Sequence, residues 1–299
     1  MKKVLLAIVA NSFCIASFAQ SGTGGTIDPP TQSEFLKTKD DWAPSLRPDG
    51  IIDRVPHVNK VVPWQRVREN DVLYAKKIWR EIDTRQKQNF PFMYPGDEGS
   101  GGGMFIEILI NALKKGELTP FMDDRFTSPM TYSDVQSLIM GKEDSTSVFD
   151  PTTGTTTIKV TRKDFDPTKV TRFRIKEQVV FDRVQGRERH YILGICPVLD
   201  VYDADNEFKG TQPLFWIYYP EARNTFVKYE VYNTANDIHR ETWDDFMEKR
   251  RFSSFITKST FNNYDDADIA AYKNGLDRQL ESERIKEMLF NKEQDLWAY

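Results

Sequence analysis

The chain has 299 residues, a formal net charge of −4 at pH 7 and 39% hydrophobic residues. This acidic balance argues against a nucleic-acid-binding protein, because such proteins neutralise phosphates with basic surface. The length allows an ordinary core, since a domain of this size buries about 70–75% of its unfolded surface.

The first residues have the features of a cleavable secretory signal peptide. Lysines at positions 2 and 3 precede the apolar stretch 4–10, and small residues stand at positions 17 and 19. This pattern is typical of export and too short to span a bilayer. We predict a signal peptide over 1–19 and no later stretch near the roughly 20 apolar residues of a membrane helix.

The two cysteines limit the chemistry further. Cys14 follows the large Phe13, whereas lipoprotein processing needs a small residue there. Cys196 is then the one cysteine of the mature chain, so an internal disulfide is excluded. Its apolar surroundings favour a buried, inert thiol over a reactive nucleophile.

Residues 20–67 lack periodicity and contain repeated prolines with single large apolar residues between them. Pure linkers are poor in aromatic residues. We therefore predict an extended N-terminal arm that is held down by those residues, either on its own domain or on a neighbouring copy. Trp42 and Trp64 are the first candidates for an interface.

Residues 68–299 are predicted to form one α+β globular domain that begins with helices. The first predicted helix starts at Asp71, a good N-cap. Its apolar stripe comprises Val72, Ala75, Ile78, Trp79 and Ile82. Further helices are expected over 104–115 and from 131, ended by Gly116 and Gly141.

A period of two follows in the middle of the chain and predicts a central antiparallel β-meander. The expected strands cover residues 155–160, 171–181, 190–202 and 214–219. Residues 184–187 are a plausible hairpin turn. Glu177 alone interrupts the apolar row of the second strand.

The last predicted strand contains the run LFWIYYPEAR, residues 214–223. A run that is apolar on both faces indicates an internal strand, and Pro220 suits the first position of a following helix. We interpret the run mainly as core. Aromatic residues and arginine are enriched in interface hot spots, so Tyr218, Tyr219 and Arg223 are candidate interface residues where the run reaches an edge.

C-terminal helices are expected over 241–250 and 268–297, with Gly275 as a weak point in the second. The carboxylates at 264–266 and the acidic helix 277–287 have two interpretations. They form a solvated surface, or they form a charged dock for a basic partner.

No local pattern indicates catalysis or a cofactor. The three histidines, His57, His190 and His239, are isolated in sequence, which argues against a metal site. The glycine-rich segment 96–103 contains acids that would repel phosphate. Acid pairs such as Asp244-Asp245 are usually charges at helix starts, although a carboxylate-dependent hydrolase and a binding protein with an aromatic cleft stay as alternatives.

Three long strings carry a family resemblance: WREIDTRQKQNFPFMYP at 79–95, FWIYYPEARNTFVKYEVYN at 215–233 and ETWDDFMEKRRFSSFITK at 241–258. They resemble the gliding-motility protein N family (GldN/PorN) of the type IX secretion system of Bacteroidetes. The resemblance extends from about residue 64 to the end of the chain.

The resemblance implies a non-enzymatic periplasmic subunit, without cofactor, catalytic residues or nucleic-acid partner. Members pair with an outer-membrane lipoprotein, the K component, in a large ring beneath the outer membrane. The periplasmic region of the M motor component is thought to contact this ring. The expected location is therefore the periplasm at the inner face of the outer membrane, with membrane contact only through the partner.

Overall fold

The computed structural model describes residues 59–96, 103–140, 144–149, 156–161, 165–202, 207–233, 235, 236, 239, 241–261 and 263–297. The helices are α1 (Phe105–Lys114), α2 (Tyr132–Met140), α3 (Tyr219–Phe226), α4 (Trp243–Glu248), α5 (Ile269–Tyr272) and α6 (Leu276–Trp297). The strands are β1 (Val72–Asp83), β2 (Pro120–Phe121), β3 (Asp144–Phe149), β4 (Thr156–Thr161), β5 (Arg172–Asp182), β6 (Arg187–Tyr202), β7 (Phe208–Pro213), β8 (Trp216–Tyr218), β9 (Glu230–Val231), β10 (Glu241–Thr242) and β11 (Phe255–Ser259).

Seven strands form one antiparallel sheet in the order β11, β1, β5, β6, β8, β2, with β7 also paired to β6. The predicted α+β class is confirmed. The strands predicted over 171–181, 190–202 and 214–219 are present as β5, β6 and β8, each antiparallel to the next, whereas β7 was not predicted. The strand predicted over 155–160 is present as β4, but it pairs with β3 outside the large sheet. Two small two-stranded sheets, β3 with β4 and β9 with β10, accompany the large one.

The helix predicted from Asp71 is wrong, because Val72–Asp83 is the strand β1. Its apolar residues satisfy a helical stripe, but the segment pairs with β5 over its whole length and with β11 over Ile78–Glu81. Residues 78–82 are buried consecutively, as expected for a strand covered on both faces. The strand β11, which pairs with β1, was not predicted either.

The helices predicted over 104–115, from 131 and over 241–250 are confirmed within two residues, whereas the single helix predicted over 268–297 is divided into α5 and α6. Thr131 and Asp134 cap α2 reciprocally: the Thr131 N–H donates to Asp134 Oδ2 at 2.9 Å, and the Asp134 N–H donates to Thr131 Oγ1 at 3.3 Å. Gly275 has a φ of +56° and separates α5 from α6, as its weak position predicted. A left-handed φ is one that glycine adopts without steric cost.

The core of the described residues has two larger parts and a small third part, which contains Trp79, Cys196 and Trp216. The first part contains Phe92, Phe105, Phe173, Trp243 and the buried side chains of α1, α3 and α4. The second part lies under α6 and contains Ile78, Val179, Ile256, Ile269, Ile285 and Leu289.

Glu177, which interrupts the apolar row of β5, is fully buried and held by two arginines. Arg80 donates to it at 3.0 Å and Arg250 at 2.8 Å. Burial alone would raise the pKa of Glu177, but contact with His190 and the charges of Arg250 and Arg80 outweigh it and hold the pKa at about 2. The break in the sequence pattern is therefore a buried ion cluster within the sheet.

Candidate functional site

The C-terminal end of the arm is fixed to the domain by side chains. The Trp64 Nε1–H donates to Glu248 Oε1 at 3.0 Å. Arg223 Nη2 donates to the backbone oxygen of Val62 at 2.7 Å, and Arg189 donates to Gln65 at 3.0 Å. We call Trp64 and the cluster of side chains around it, namely Tyr191, Tyr219, Arg223, Asp244 and Glu248, the arm anchor.

The ring of Trp64 lies among aromatic and cationic groups. It stacks on Tyr219 with ring centroids 6.2 Å apart, and it meets Tyr191 edge-on at 5.2 Å. The Arg223 guanidinium lies 5.0 Å from the ring centroid. Such aromatic pairs and cation–π contacts contribute about 0.5–1.5 kcal/mol each beyond burial. Trp64 is thus held by its face, its edge and its N–H.

Arg223 is itself positioned by a buried carboxylate. It donates to both oxygens of Asp244, at 2.8 and 3.0 Å, and the side chains of both residues are only 6% exposed. The Tyr219 hydroxyl donates to the same carboxylate at 2.9 Å. Asp244 therefore receives three hydrogen bonds, which satisfies a charge that would otherwise be costly to bury.

Burial and charge alter the acid–base properties of the anchor. Burial, and next the charge of Asp244, raise the pKa of the Tyr219 hydroxyl, which stays protonated. Burial alone would lower the pKa of Arg223, but the hydrogen bond to Asp244 and the charge of Asp244 outweigh the effect of burial, so the pKa of Arg223 is raised. Burial also raises the pKa of Glu248, and the hydrogen bond from Trp64 opposes this shift. All three groups are engaged in holding the arm.

Three of the five candidate interface residues meet in the arm anchor: Trp64, Tyr219 and Arg223. The structure corrects the idea that Tyr219 and Arg223 emerge at an edge, because their exposed fractions are 0% and 5%. Tyr218 lies apart from them: it pairs with Gly194 of β6, and its ring meets Phe126 at 5.1 Å. Trp42 lies outside the described residues, and an interface role for any of the five stays a prediction.

Three residues of the anchor, Tyr191, Asp244 and Glu248, are not among the candidates that the sequence offers. The sequence predicts Asp244 as a charge at a helix start, and it does stand in the first turn of α4, but it is 4% exposed. Tyr191 was placed on a strand without a role. The hydrophobic neighbours of Asp244, Trp243 and Phe246, are a signal that the start of α4 faces the core.

Three further features of the described residues bear on function, namely possible metal ligands, the cysteine and the helices. Among the described parts of the chain, no three His, Cys, Asp or Glu side chains are grouped so as to hold a metal ion. Burial raises the pKa of the Cys196 thiol to about 12, in agreement with the predicted inert thiol. No helix between residues 59 and 297, within the described ranges, is long and apolar enough to cross a membrane.

The fold and the anchor define an α+β domain whose aromatic and charged side chains bind a polypeptide segment, here residues 62–65 of its own chain. A family model, described as "Gliding motility associated protein GldN", matches residues 67–298. The chain therefore belongs to the GldN family, as its three long strings predicted. This family is a structural motility component and not a known enzyme family, and membership supports a component of the gliding-motility and type IX secretion machinery. A comparison with curated proteins finds no match.

Proposed function

We propose that this chain is a non-enzymatic structural subunit of the type IX secretion and gliding-motility machinery. It forms a ring-like complex with an outer-membrane lipoprotein of the K type and contacts the periplasmic region of the M component. The observation that carries the proposal is the family match over residues 67–298. The subunit acts in the periplasm at the inner face of the outer membrane, and its lipoprotein partner supplies the membrane contact.

The arm anchor supports a binding role better than a hydrolytic one. A glycosidase-type site needs two carboxylates about 5–10 Å apart that both face a substrate. Asp244 is bonded to Arg223 and Tyr219, while Glu248 is bonded to Trp64. Both carboxylates are thus used to hold groups of the polypeptide.

Ring building requires two different contact surfaces on each subunit, because a head-to-tail contact propagates whereas a two-fold contact closes as a dimer. Trp64 is engaged with its own chain. We therefore assign the contact with a neighbouring copy to Trp42 and the segment 20–58. The anchored residues Val62 and Trp64 fix the point at which this segment joins the domain.

Affinity purification of the tagged full chain from cell envelopes tests the proposal. We expect a lipoprotein partner to co-purify and large assemblies to appear in size-exclusion chromatography. The Trp42→Ala variant is expected to weaken assembly and leave the melting temperature unchanged. A wild-type chain that stays monomeric and captures no envelope lipoprotein would refute the proposal.

Crosslinking mass spectrometry on intact envelopes locates the contacts. Crosslinks from Lys37 or Lys39, which flank the Trp42 segment, to another copy would support the assigned role of the arm. Crosslinks from these lysines exclusively within one chain would contradict it.

A further inference from the structure

A cleft of about 440 Å³ lies between the loop that follows β11 and the helices α5 and α6. Its apolar lining includes Ile285, which is 4% exposed and belongs to the core under α6, and the partly buried Met288. Tyr264 and Tyr272 also line it. Their side chains are 97% and 52% exposed, so two large aromatic surfaces border the cleft and face solvent.

The loop that carries Tyr264 is held in place by its own hydrogen bonds. Asn263 Nδ2 donates to the backbone oxygens of Ser259 and Ala267 at 3.0 and 2.8 Å. Asp266 has a left-handed φ of +51°, and its carboxylate is paired with Lys258 at 2.9 Å. These contacts fix the loop in a conformation that presents Tyr264 and Asp265 outward, so the exposed tyrosine is part of an organised surface.

The charge of the cleft is negative. Of the described residues that line it, Arg284 alone is cationic, and it is neutralised by Glu281 through hydrogen bonds of 3.0 and 2.6 Å. Asp265 has no ion pair or hydrogen bond among the described residues. A free carboxylate therefore stands beside two tyrosine rings, and the faces of such rings attract cations.

An exposed apolar row leads along α6 towards the cleft. Leu276 and Leu280 are 69% and 58% exposed, and they precede Arg284 at intervals of four residues. Positions four apart lie on one row of a helix. Contiguous exposed apolar surface next to a cleft typically marks an interaction site.

We propose that the cleft and the leucine row together bind an extended segment of a partner protein in which a lysine or arginine stands beside apolar residues. The basic side chain lies against the rings of Tyr264 and Tyr272 and pairs with Asp265. The apolar neighbours cover Leu276 and Leu280. The inference rests on the proposed function, since it names the chemistry by which a structural subunit recognises one of its partners.

Peptide binding to the purified full chain tests this inference. The probes are two labelled, acetylated peptides. One contains lysine and leucine separated by serine, and the other has glutamate in place of every lysine. Fluorescence anisotropy at physiological salt is expected to detect the lysine peptide alone. Asp265→Lys should weaken its binding by about tenfold, because it replaces attraction with repulsion. Tyr264→Ser should weaken it as well.

A matched control separates specific pairing from the overall acidity of the chain. Glu207→Lys makes the same change in net charge at an exposed position next to β7, outside the cleft, and is expected to leave binding unchanged. The inference is overturned if the lysine peptide does not bind, if the glutamate peptide binds equally well, or if Asp265→Lys and Glu207→Lys have equal effects.

The purification from envelopes distinguishes this inference from the proposed function. Loss of lipoprotein co-purification from the wild-type chain contradicts the function itself. If the wild-type chain co-purifies with its partner but Asp265→Lys has no effect on peptide binding, the inference about the cleft alone is contradicted.

Discussion

Removal of the Arg223 guanidinium tests the energetics of the arm anchor. Arg223→Met keeps the aliphatic stem and leaves Asp244, whose side chain is 6% exposed, with one remaining donor, Tyr219. Breaking a buried ion pair by removing one partner costs about 3–5 kcal/mol. The bond to the Val62 oxygen and the contact with Trp64 are lost with it. We expect the free energy of unfolding to fall by about 4 kcal/mol and the melting temperature by about 10 °C.

Urea unfolding at pH 7, followed by circular dichroism, measures this change. Arg284→Met is the matched control, because Arg284 also makes two hydrogen bonds to one carboxylate, that of Glu281, but its side chain is 63% exposed. An exposed pair of this kind contributes about 0–1 kcal/mol. Equal losses for the two variants would refute the argument, since the variants differ in burial and not in the number of hydrogen bonds to the carboxylate.

Three further variants test other parts of the structure. Trp64→Ala should lower the free energy of unfolding by about 2 kcal/mol, because a half-buried ring and its hydrogen bond are lost. It should also speed tryptic cleavage of the arm, and an unchanged cleavage rate would contradict the role of Trp64 in holding the arm. Glu177→Gln should cost about 3 kcal/mol at pH 7, which corresponds to a pKa lowered from 4.5 to about 2. The ionised Glu177 stabilises the fold above pH 4.5, and this stability is lost as the pH falls through 2. In urea titrations, the loss of unfolding free energy caused by Glu177→Gln should therefore shrink as the pH is lowered from 4.5 to 2. A loss that stays constant with pH refutes the assignment. Gly194→Ala would place a Cβ 2.6 Å from a ring carbon of Phe126 and should lower the melting temperature by several degrees. In the control Gly210→Ala the new Cβ has no atom within 4 Å, so the melting temperature should not change. Equal effects of the two substitutions would show that the Phe126 contact is not the cause.

Local patterns predict an element well when its stabilising contacts are close in the sequence. The reciprocal cap at Thr131 and Asp134, the proline-started helix after Tyr218 and the break at Gly275 depend on neighbours within a few residues, and all three are present. β1 is different. Its apolar spacing fits either a helix or a two-sided strand, and pairing with β5, about a hundred residues away, decides between them.

The anchor was predictable in its residue types and not in its arrangement. Trp64, Tyr219 and Arg223 are of the residue types, aromatic residues and arginine, that dominate contact energies. Their meeting point depends on a contact between Trp64 and Glu248, which are 184 residues apart. A local pattern also cannot separate a buried carboxylate such as Asp244 from a solvated one in a chain with 29% charged residues.

In the assembly that we propose, the anchor and the cleft fulfil two different requirements. The anchor uses α3 and α4 and holds a segment of its own chain, whereas the cleft uses α5, α6 and the loop after β11 and leaves its tyrosines exposed. They share no residue. In this proposal the subunit has a defined direction, because the anchor fixes residues 62–65 and the open cleft receives a segment of another polypeptide. Direction of this kind is what a head-to-tail ring requires and a two-fold dimer does not.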